Sequence, residues 1–278
     1  MTYQRRIDRL NPGLILLLVD QSESMIEPLA NGRVSKAEAV AEQINQLIYE
    51  LILRCVKTPR EPPRDYFYLG LVGYSTTSDG SPVVRSLLPA PLDDAWLAST
   101  SDLAAHPLRI ERKRLPAGGE VNAPVWVEPN SQGGTPMCGA IDRAGRIAAE
   151  WAQRYPNTFP PIVLNLSDGE ATDGQPETWA DRLRRLATSD GGLLFFNVTL
   201  SAAEAIPVVF PADDHDLTDR YARRLFALSS PLPRHMVDSA IGQGLPVSPG
   251  SRGFAHNADL RTLALFLNIG TSVGRAAS

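Results

Sequence analysis

The sequence predicts an α/β protein built on a doubly wound, mostly parallel β-sheet with helices on both faces. Predominantly apolar runs occur at residues 14–19, 161–167 and 193–200, and such runs are typical of central strands buried on both sides. Segments with apolar residues at helical spacing, first at 35–56 and again at 136–151, separate these runs. Strands that alternate with helices favour parallel pairing through crossover connections.

The first strand and the first helix have clear signals at their ends. The strand LILLLV at 14–19 leads directly into Asp20. The helix at 35–56 begins with Ser35 as a predicted N-cap, and Glu38 follows three residues later, which is the spacing of a capping box. A long helix is therefore expected directly after the first strand and its loop.

An antiparallel hairpin is predicted at one edge of the sheet. Residues 65–76 alternate aromatic and aliphatic side chains, and the turn residues DGSP separate them from a second β run at 83–88. This hairpin gives the sheet one antiparallel edge strand. Residues 108–128 hold two further short β runs around a pair of glycines, which predicts an inserted β-hairpin within about residues 100–130.

The rest of the chain continues the alternation and shows no internal repeat or linker. We therefore predict a single domain over residues 1–278, with an extension of loops and helices from about residue 205. The Pro- and Gly-rich stretch at 230–253 is predicted to be a long loop. The helix at 136–151 has Pro136 at its first position, and further helices are predicted at 177–188, 219–228 and 259–268.

The composition excludes several classes of partner and compartment. With 278 residues and 43% hydrophobic content, the chain can form a large core, and its net charge of −4 gives no basic excess for nucleic acid or an anionic membrane. Cys55 and Cys138 form neither a disulfide framework nor a pair at metal-ligand spacing. The apolar run at 14–19 is too short for a signal peptide or a membrane span. We expect a cytoplasmic protein, and the composition leaves its oligomeric state open.

Polar residues stand at three places directly after an apolar strand or at the start of a helix, where doubly wound sheets bind their ligands. The loop DQSES after the first strand carries Asp20, Ser22 and Ser24 at alternate positions, so one carboxylate and two hydroxyls can face one point. Thr135 follows two glycines at the start of a helix, and Asp168 follows the second apolar strand. Hard oxygen ligands of this kind suit Mg²⁺ or Mn²⁺.

The pattern resembles the metal-ion-dependent adhesion site of von Willebrand factor A (vWA) domains. In that family, a D-x-S-x-S loop after the first strand, a threonine before a mid-chain helix and an aspartate after the fourth strand hold a divalent cation. The resemblance covers about residues 14–200, and it departs at Glu23, where many members have glycine. The matching positions, in the family's order, are Asp20, Ser22, Ser24, Thr135 and Asp168.

The resemblance implies a binding module with a Rossmann-like fold, not an enzyme. A cation held mostly by neutral hydroxyls keeps residual positive charge and an open position, which an Asp or Glu of another protein would fill. Mg²⁺ is the expected cofactor, with Mn²⁺ or Ca²⁺ as alternatives. Compact bacterial members that stand alone often belong to multiprotein systems, so the resemblance suggests a signalling or stress-response assembly.

Other interpretations stay open on the sequence alone. The polar residues of the first loop could simply cap the next helix, which would leave a scaffold with a vestigial site. A hydrolase is a further alternative, with Glu23 or Glu170 as its general base. The histidines have no catalytic spacing and are expected at the surface or in loops, and Asp173 is assigned to a turn. The insertion is expected near the metal-binding edge, and its Trp126 is interpreted either as a packing residue or as an interface residue.

Overall fold

The computed structural model describes residues 3–29, 33–58, 60–114, 118–201 and 205–270. None of the helices within these ranges combines the length and the apolar character that crossing a bilayer requires. The helices are α1 (Lys36–Cys55), α2 (Thr100–Ala105), α3 (Met137–Arg154), α4 (Pro176–Arg184), α5 (Arg220–Leu228), α6 (Arg234–Gly242) and α7 (Leu260–Gly270). The strands are β1 (Gly13–Asp20), β2 (Phe67–Thr76), β3 (Pro82–Ser86), β4 (Ala98–Ser99), β5 (Arg109–Arg114), β6 (Glu120–Val125), β7 (Ile162–Ser167), β8 (Ala187–Thr188), β9 (Gly191–Gly192), β10 (Leu194–Leu200), β11 (Val208–Val209) and β12 (Phe254–Ala258).

One mixed sheet organises these elements in the order β11-β12-β10-β7-β1-β2-β3. The five inner strands run parallel to one another, whereas β3 and β11 are antiparallel at the two edges. The short strand β4 also pairs antiparallel with β2. The predicted doubly wound, mostly parallel sheet is confirmed, and it has more antiparallel strands than the single one predicted.

The burial of β1 shows why its apolar run is a central strand. All eight of its residues are buried, and successive side chains point to opposite faces of the sheet. Ile15 and Leu17 pack in the layer formed with α1, α6 and α7. Leu14 and Leu16 pack in the layer formed with α3, α4 and α5. A run without alternation is therefore required here, because both faces of the strand are covered by helices.

Two buried asparagines lie within otherwise apolar strands and satisfy each other. Asn165 in β7 and Asn197 in β10 are register partners, and Asn165 Nδ2 donates to Asn197 Oδ1 at 3.1 Å. Tyr74 donates its hydroxyl to Asn165 Oδ1 at 2.8 Å, and Asn197 Nδ2 donates to Ser229 Oγ at 2.9 Å. An unpartnered buried polar group would cost roughly 1–3 kcal/mol, so this network lets polar residues occupy the centre of the sheet.

The ends of the helices near the predicted site agree with the sequence at α1 and differ at α3. Ser35 and Glu38 form the predicted capping box, in which each side chain accepts from the backbone N–H of the other residue. Pro136 was expected to be the first residue of α3, and this expectation is wrong. Pro136 has φ −77° and ψ 62° and precedes the helix as its N-cap residue.

The region after residue 200 differs most from the prediction. The strand β12 was not predicted, yet it joins the sheet in parallel beside β10, with Phe254 opposite Asn197. The helix α6 lies within the stretch 230–253 that was predicted to be a loop. Its nine residues bury Met236, Val237 and Ala240, so this short helix depends on packing more than on its own periodicity.

The hairpin of β5 and β6 lies beside the first half of α1. Asn45 of α1 accepts at Oδ1 from the backbone N–H of Trp126 at 2.8 Å, just after β6. Lys113 in β5 pairs with Glu42 of α1 at 3.0 Å. Trp126 is only 1% exposed and donates its indole N–H to the Leu103 carbonyl at 2.7 Å. Of its two predicted roles, packing is therefore confirmed and a role at an interface is wrong.

Candidate metal centre

The carboxyl ends of β1 and β7 meet at one edge of the sheet. The two strands are parallel neighbours, and Val19 lies opposite Leu166 in their register. The residues that follow, Asp20 and Ser167, are therefore neighbours as well, and Asp168 comes directly after them. This pairing brings the first polar loop of the sequence next to the aspartate that is more than one hundred residues away.

Asp20 is a buried carboxylate with 1% of its surface exposed. Its Oδ1 accepts from the backbone N–H of Ser22 at 2.9 Å, and its Oδ2 accepts from Ser167 Oγ at 2.6 Å. Burial raises the pKa of the Asp20 carboxyl to about 6, although the hydrogen bonds from Ser167 and Ser22 oppose that rise; the neighbouring charge of Asp168 adds to it. A cation beside this carboxylate would stabilise its charged form.

Two hydroxyl groups connect the first loop to Asp168. Ser22 Oγ and Ser24 Oγ lie 3.1 Å apart, and Ser24 Oγ donates to Asp168 Oδ1 at 2.8 Å. Together with the bond between Asp20 and the Ser22 backbone, these contacts join four of the five predicted ligands into one hydrogen-bonded group.

The loop that carries Thr135 is tied to the first loop through the backbone. Glu23 donates its N–H to the Gly133 carbonyl at 2.8 Å. Gly133 has φ 71°, and a Cβ atom there would lie 2.3 Å from the Thr76 carbonyl oxygen, so only glycine fits. Thr135 itself is buried at this edge. Within the described ranges its hydroxyl forms no hydrogen bond to the other four predicted ligands.

Thr172 and Asp173 hold the Thr135 loop and the start of α3. Thr135 donates its N–H to Thr172 Oγ1 at 3.1 Å, and its carbonyl accepts from the Thr172 N–H at 2.9 Å. The Asp173 carboxylate accepts from the N–H groups of Cys138 at 2.9 Å and Gly139 at 2.8 Å. Asp173 therefore caps α3 from a distant loop, a contact that the predicted turn did not anticipate.

A buried lysine that the sequence did not indicate contacts this group. Lys36 is 4% exposed, and its Nζ lies 2.7 Å from Asp168 Oδ2 and 2.7 Å from Glu27 Oε2. Lys36 is the first residue of α1, where a positive charge is unfavourable for the helix dipole unless an acid compensates it. That position is the signal by which the sequence could have pointed to an ion pair here.

Comparison with solved structures gives a fold match, whereas sequence comparison gives none. No protein-family model matches the chain, and no curated protein matches significantly. The pilus adhesin SpaC from Lactobacillus rhamnosus GG superposes with a TM-score of 0.51 at 12% identity, over 95% of this chain and 30% of the adhesin. The sheet order and this superposition agree with the fold predicted from the sequence. The chain has a vWA-like fold.

Two further superpositions have lower scores. The manganese-loaded TRAP protein of Plasmodium vivax matches with a TM-score of 0.42 and 13% identity, over 93% of this chain and 72% of that protein. The ArnB paralog VWA2 from Sulfolobus acidocaldarius matches with a TM-score of 0.33 and 12% identity, over 68% of this chain and 35% of that protein.

The donors at this edge of the vWA-like fold fit a small, hard divalent cation. The predicted ligands are two carboxylates and three hydroxyls, and Mg²⁺ and Mn²⁺ prefer such oxygen ligands. In the part of the chain that the structure describes, no group of three or more His, Cys, Asp or Glu side chains is arranged to hold a metal. A cation at this edge would therefore depend on hydroxyl ligands as well as on the two carboxylates, and it would oppose the rise that burial causes in the pKa of Asp20.

Neither Glu170 nor Glu23, the two candidates for a general base, belongs to the hydrogen-bonded group of Asp20, Ser22, Ser24 and Asp168. Glu170 lies 3.6 Å from Arg224 and 4.0 Å from Arg220, so its carboxylate is held in ion pairs. Glu23 is exposed beside the first loop. The expectation that the histidines lie at the surface or in loops is wrong for His256, which is part of β12. Its Nδ1 lies 2.7 Å from Thr199 Oγ1, and burial lowers its pKa.

Proposed function

We propose that this chain is a binding module that holds a divalent cation and, through it, an acidic side chain of another protein. Asp20, Ser22, Ser24, Thr135 and Asp168 are the proposed ligands, and Mg²⁺ is the proposed cation, with Mn²⁺ or Ca²⁺ as alternatives. The observation that carries the proposal is the continuous hydrogen-bonded group from Asp20 through both serines to Asp168. It brings the oxygen donors of two distant loops to one edge of the sheet.

The exposure of the ligands indicates where the partner would approach. Asp20 and Ser22 are buried, whereas Ser24 is exposed. The buried pair would hold the cation from inside the sheet edge, and the partner would come from the side of Ser24. When bound, the cation supplies a coordination position for a carboxylate oxygen, because its protein ligands carry only two negative charges.

The setting of this interaction is part of the proposal. The similar protein SpaC is an adhesin by name, which fits a role in binding other molecules. Both cysteines are buried and free, so the chain needs no oxidising compartment. We place the protein in the cytoplasm, within a bacterial signalling or stress-response assembly, with no nucleic acid or membrane as its main partner.

Calorimetric titration with MnCl₂ tests the cation site directly. Wild type should bind Mn²⁺, and the variant carrying both Asp20→Ala and Ser22→Ala should not. Asp142→Ala is the matched control, because it removes a carboxylate of α3 that pairs with Arg146 away from this edge. Mn²⁺ binding that is equal in all three proteins, or absent from wild type, would overturn the proposal.

Capture of partners tests the adhesive role. Immobilised wild type and Asp20→Ala would be exposed to native lysate with Mg²⁺ and with EDTA. A protein retained only by wild type with Mg²⁺ supports the proposal if replacement of one Asp or Glu in that partner then abolishes retention. Identical retention in all four conditions would contradict a metal-dependent mechanism.

A scaffold that needs no metal is the second candidate, and Lys36 favours it. Its ammonium already gives Asp168 a cationic partner, so the network is closed without a divalent ion. This candidate requires that Mg²⁺ change neither the melting temperature nor the capture of partners. Catalysis is not part of our proposal, and turnover of phosphate esters that Asp20→Ala abolishes would establish a hydrolase instead.

A further inference from the structure

We propose that Lys36 is an internal counter-ion that weakens the cation affinity of the site. The inference rests on the proposed function, since it concerns the same cation. Its direct effect is on Asp168, whose charge the ammonium neutralises. The strength of cation binding would thereby be set by a residue that is not itself a ligand.

The contacts of Lys36 fix its charge in place. The ammonium donates to Asp168 Oδ2 at 2.7 Å, to Glu27 Oε2 at 2.7 Å and to the Ser24 carbonyl at 3.4 Å. With 5% of its side chain exposed, Lys36 is held between the first loop and Asp168 and cannot simply extend into solvent. Two of these three contacts are with proposed ligands.

The charge balance gives the direction of the effect. Asp20 and Asp168 offer a cation two negative charges, and Lys36 cancels one of them. Charges buried in a protein are screened far less by water and salt than charges at its surface. Removing this ammonium should therefore raise cation affinity, and we expect an increase of at least about tenfold from Coulomb's law at short range.

Glu27→Gln is a second variant, and it should change the cation affinity in the opposite direction to Lys36→Gln. Its carboxylate shares the ammonium with Asp168, but 54% of its side chain is exposed. Glu27→Gln would leave the charge of Lys36 less compensated, so a cation at the site would be repelled more strongly. Because the carboxylate is half in solvent, we expect a smaller change, a loss of about threefold.

The pair of variants separates an electrostatic role from a structural one. If Lys36 only held the loops together, both Lys36→Gln and Glu27→Gln would loosen the site, and both would weaken cation binding. If Lys36 acts through its charge, Lys36→Gln strengthens binding while Glu27→Gln weakens it. Opposite directions are therefore the result that a structural role does not produce.

Calorimetric titration of the full chain with MnCl₂ near neutral pH is the experiment. Lys113→Gln is the matched control, because Lys113 is an exposed lysine of the β5–β6 hairpin that pairs with Glu42 of α1 at 3.0 Å. It should bind Mn²⁺ like wild type. Circular dichroism of each variant establishes that it is folded. Tighter binding by Lys36→Gln with weaker binding by Glu27→Gln supports the inference.

The failures of the two proposals are distinguishable. If wild type binds no Mn²⁺, the proposed function is overturned and this inference with it. If wild type binds Mn²⁺ and Lys36→Gln binds it equally or more weakly, only the role of Lys36 is overturned. If Lys36→Gln does not fold, the Mn²⁺ affinity of Glu27→Gln is the deciding measurement, because Glu27 is exposed. An affinity equal to or higher than that of wild type would then overturn the inference.

Discussion

The hydroxyl of Ser167 donates a 2.6 Å hydrogen bond to Oδ2 of Asp20 and joins the ends of β7 and β1. Both residues are buried, and this bond lowers the pKa of Asp20 against the larger effect of burial. Ser167 lies in the segment after the second apolar strand that the sequence indicated, but it was not among the predicted ligands. Its contact favours the charged form of Asp20, which is the form that binds a cation.

Replacing Ser167 with Ala should weaken cation binding most at mildly acidic pH. The pKa of Asp20 would lose an interaction that lowers it and would rise above its present value of about 6. Near that pH we expect the Mn²⁺ affinity to fall several-fold, whereas at about pH 8 Asp20 is ionised with or without Ser167. Calorimetry at the two pH values measures the difference.

Ser189→Ala is the control for this variant, since it removes an exposed hydroxyl that lies 3.1 Å from Asn157 Oδ1. It should leave Mn²⁺ affinity unchanged at both pH values. An equal loss of affinity by Ser167→Ala at both would show that Ser167 shapes the site and does not act through the charge of Asp20.

The metal-free protein should become less stable as pH rises from about 4 to about 6, through the titration of Asp20. Burial raises the folded-state pKa to about 6, above the unfolded value, so the folded chain binds the extra proton in this window. Its contribution to the free energy of unfolding is complete below the window and lost above it. Asp20→Asn should flatten this slope and make the metal-free protein about 1–3 kcal/mol more stable at about pH 8.

Urea unfolding in EDTA over a series of pH values checks this prediction. Other groups also titrate, so the decisive quantity is the difference between wild type and Asp20→Asn. Ser189→Ala, which removes an exposed hydroxyl and no titrating group, should keep the slope of wild type. If the free energies of unfolding of wild type and Asp20→Asn differ by the same amount at every pH, the raised pKa of Asp20 is contradicted.

The sequence locates the ends of the apolar strands well because local patterns mark them. Asp20, Ser22, Ser24 and Asp168 follow predominantly apolar runs, and parallel strands direct their carboxyl ends to one edge. The structure brings these four residues into one hydrogen-bonded group. Their role as metal ligands stays a prediction.

The remaining parts depend on contacts between distant residues. Lys36 reaches Asp168 across 132 positions, and Asp173 caps α3 from 35 residues away, so no local spacing reveals either contact. The strand β12 has the sequence FAHNA, which lacks a long apolar run, and it is defined by its pairing with β10. Tertiary packing overrides the weak local pattern in such segments.

Gly133→Ala should destabilise the protein more than the same change at another glycine with positive φ. At Gly133 the new Cβ would lie 2.3 Å from the Thr76 carbonyl oxygen, whereas at Gly80, with φ 84°, it meets nothing within 4 Å. Gly80→Ala should cost about 1 kcal/mol from backbone strain alone. Gly133→Ala should cost about 2–4 kcal/mol and displace the Thr135 loop.

Urea unfolding of both variants gives the two free energies, and titration with MnCl₂ gives the effect on the site. We expect Gly133→Ala to lose Mn²⁺ affinity and Gly80→Ala to keep it. Similar free energies of unfolding for the two variants would contradict the close approach between Gly133 and Thr76.

Asp173→Ala should destabilise the protein without removing the cation site. Its carboxylate accepts from the first N–H groups of α3, at Cys138 and Gly139, and loss of such a cap costs about 0.5–2 kcal/mol. Asp168→Ala, by contrast, should abolish Mn²⁺ binding, because Asp168 accepts from Ser24 and is a proposed ligand. Urea unfolding and calorimetry of both variants separate the two aspartates. Retained Mn²⁺ binding by Asp168→Ala with loss by Asp173→Ala would reverse their roles, and the ligand that follows β7 would then have to be sought in the loop that caps α3.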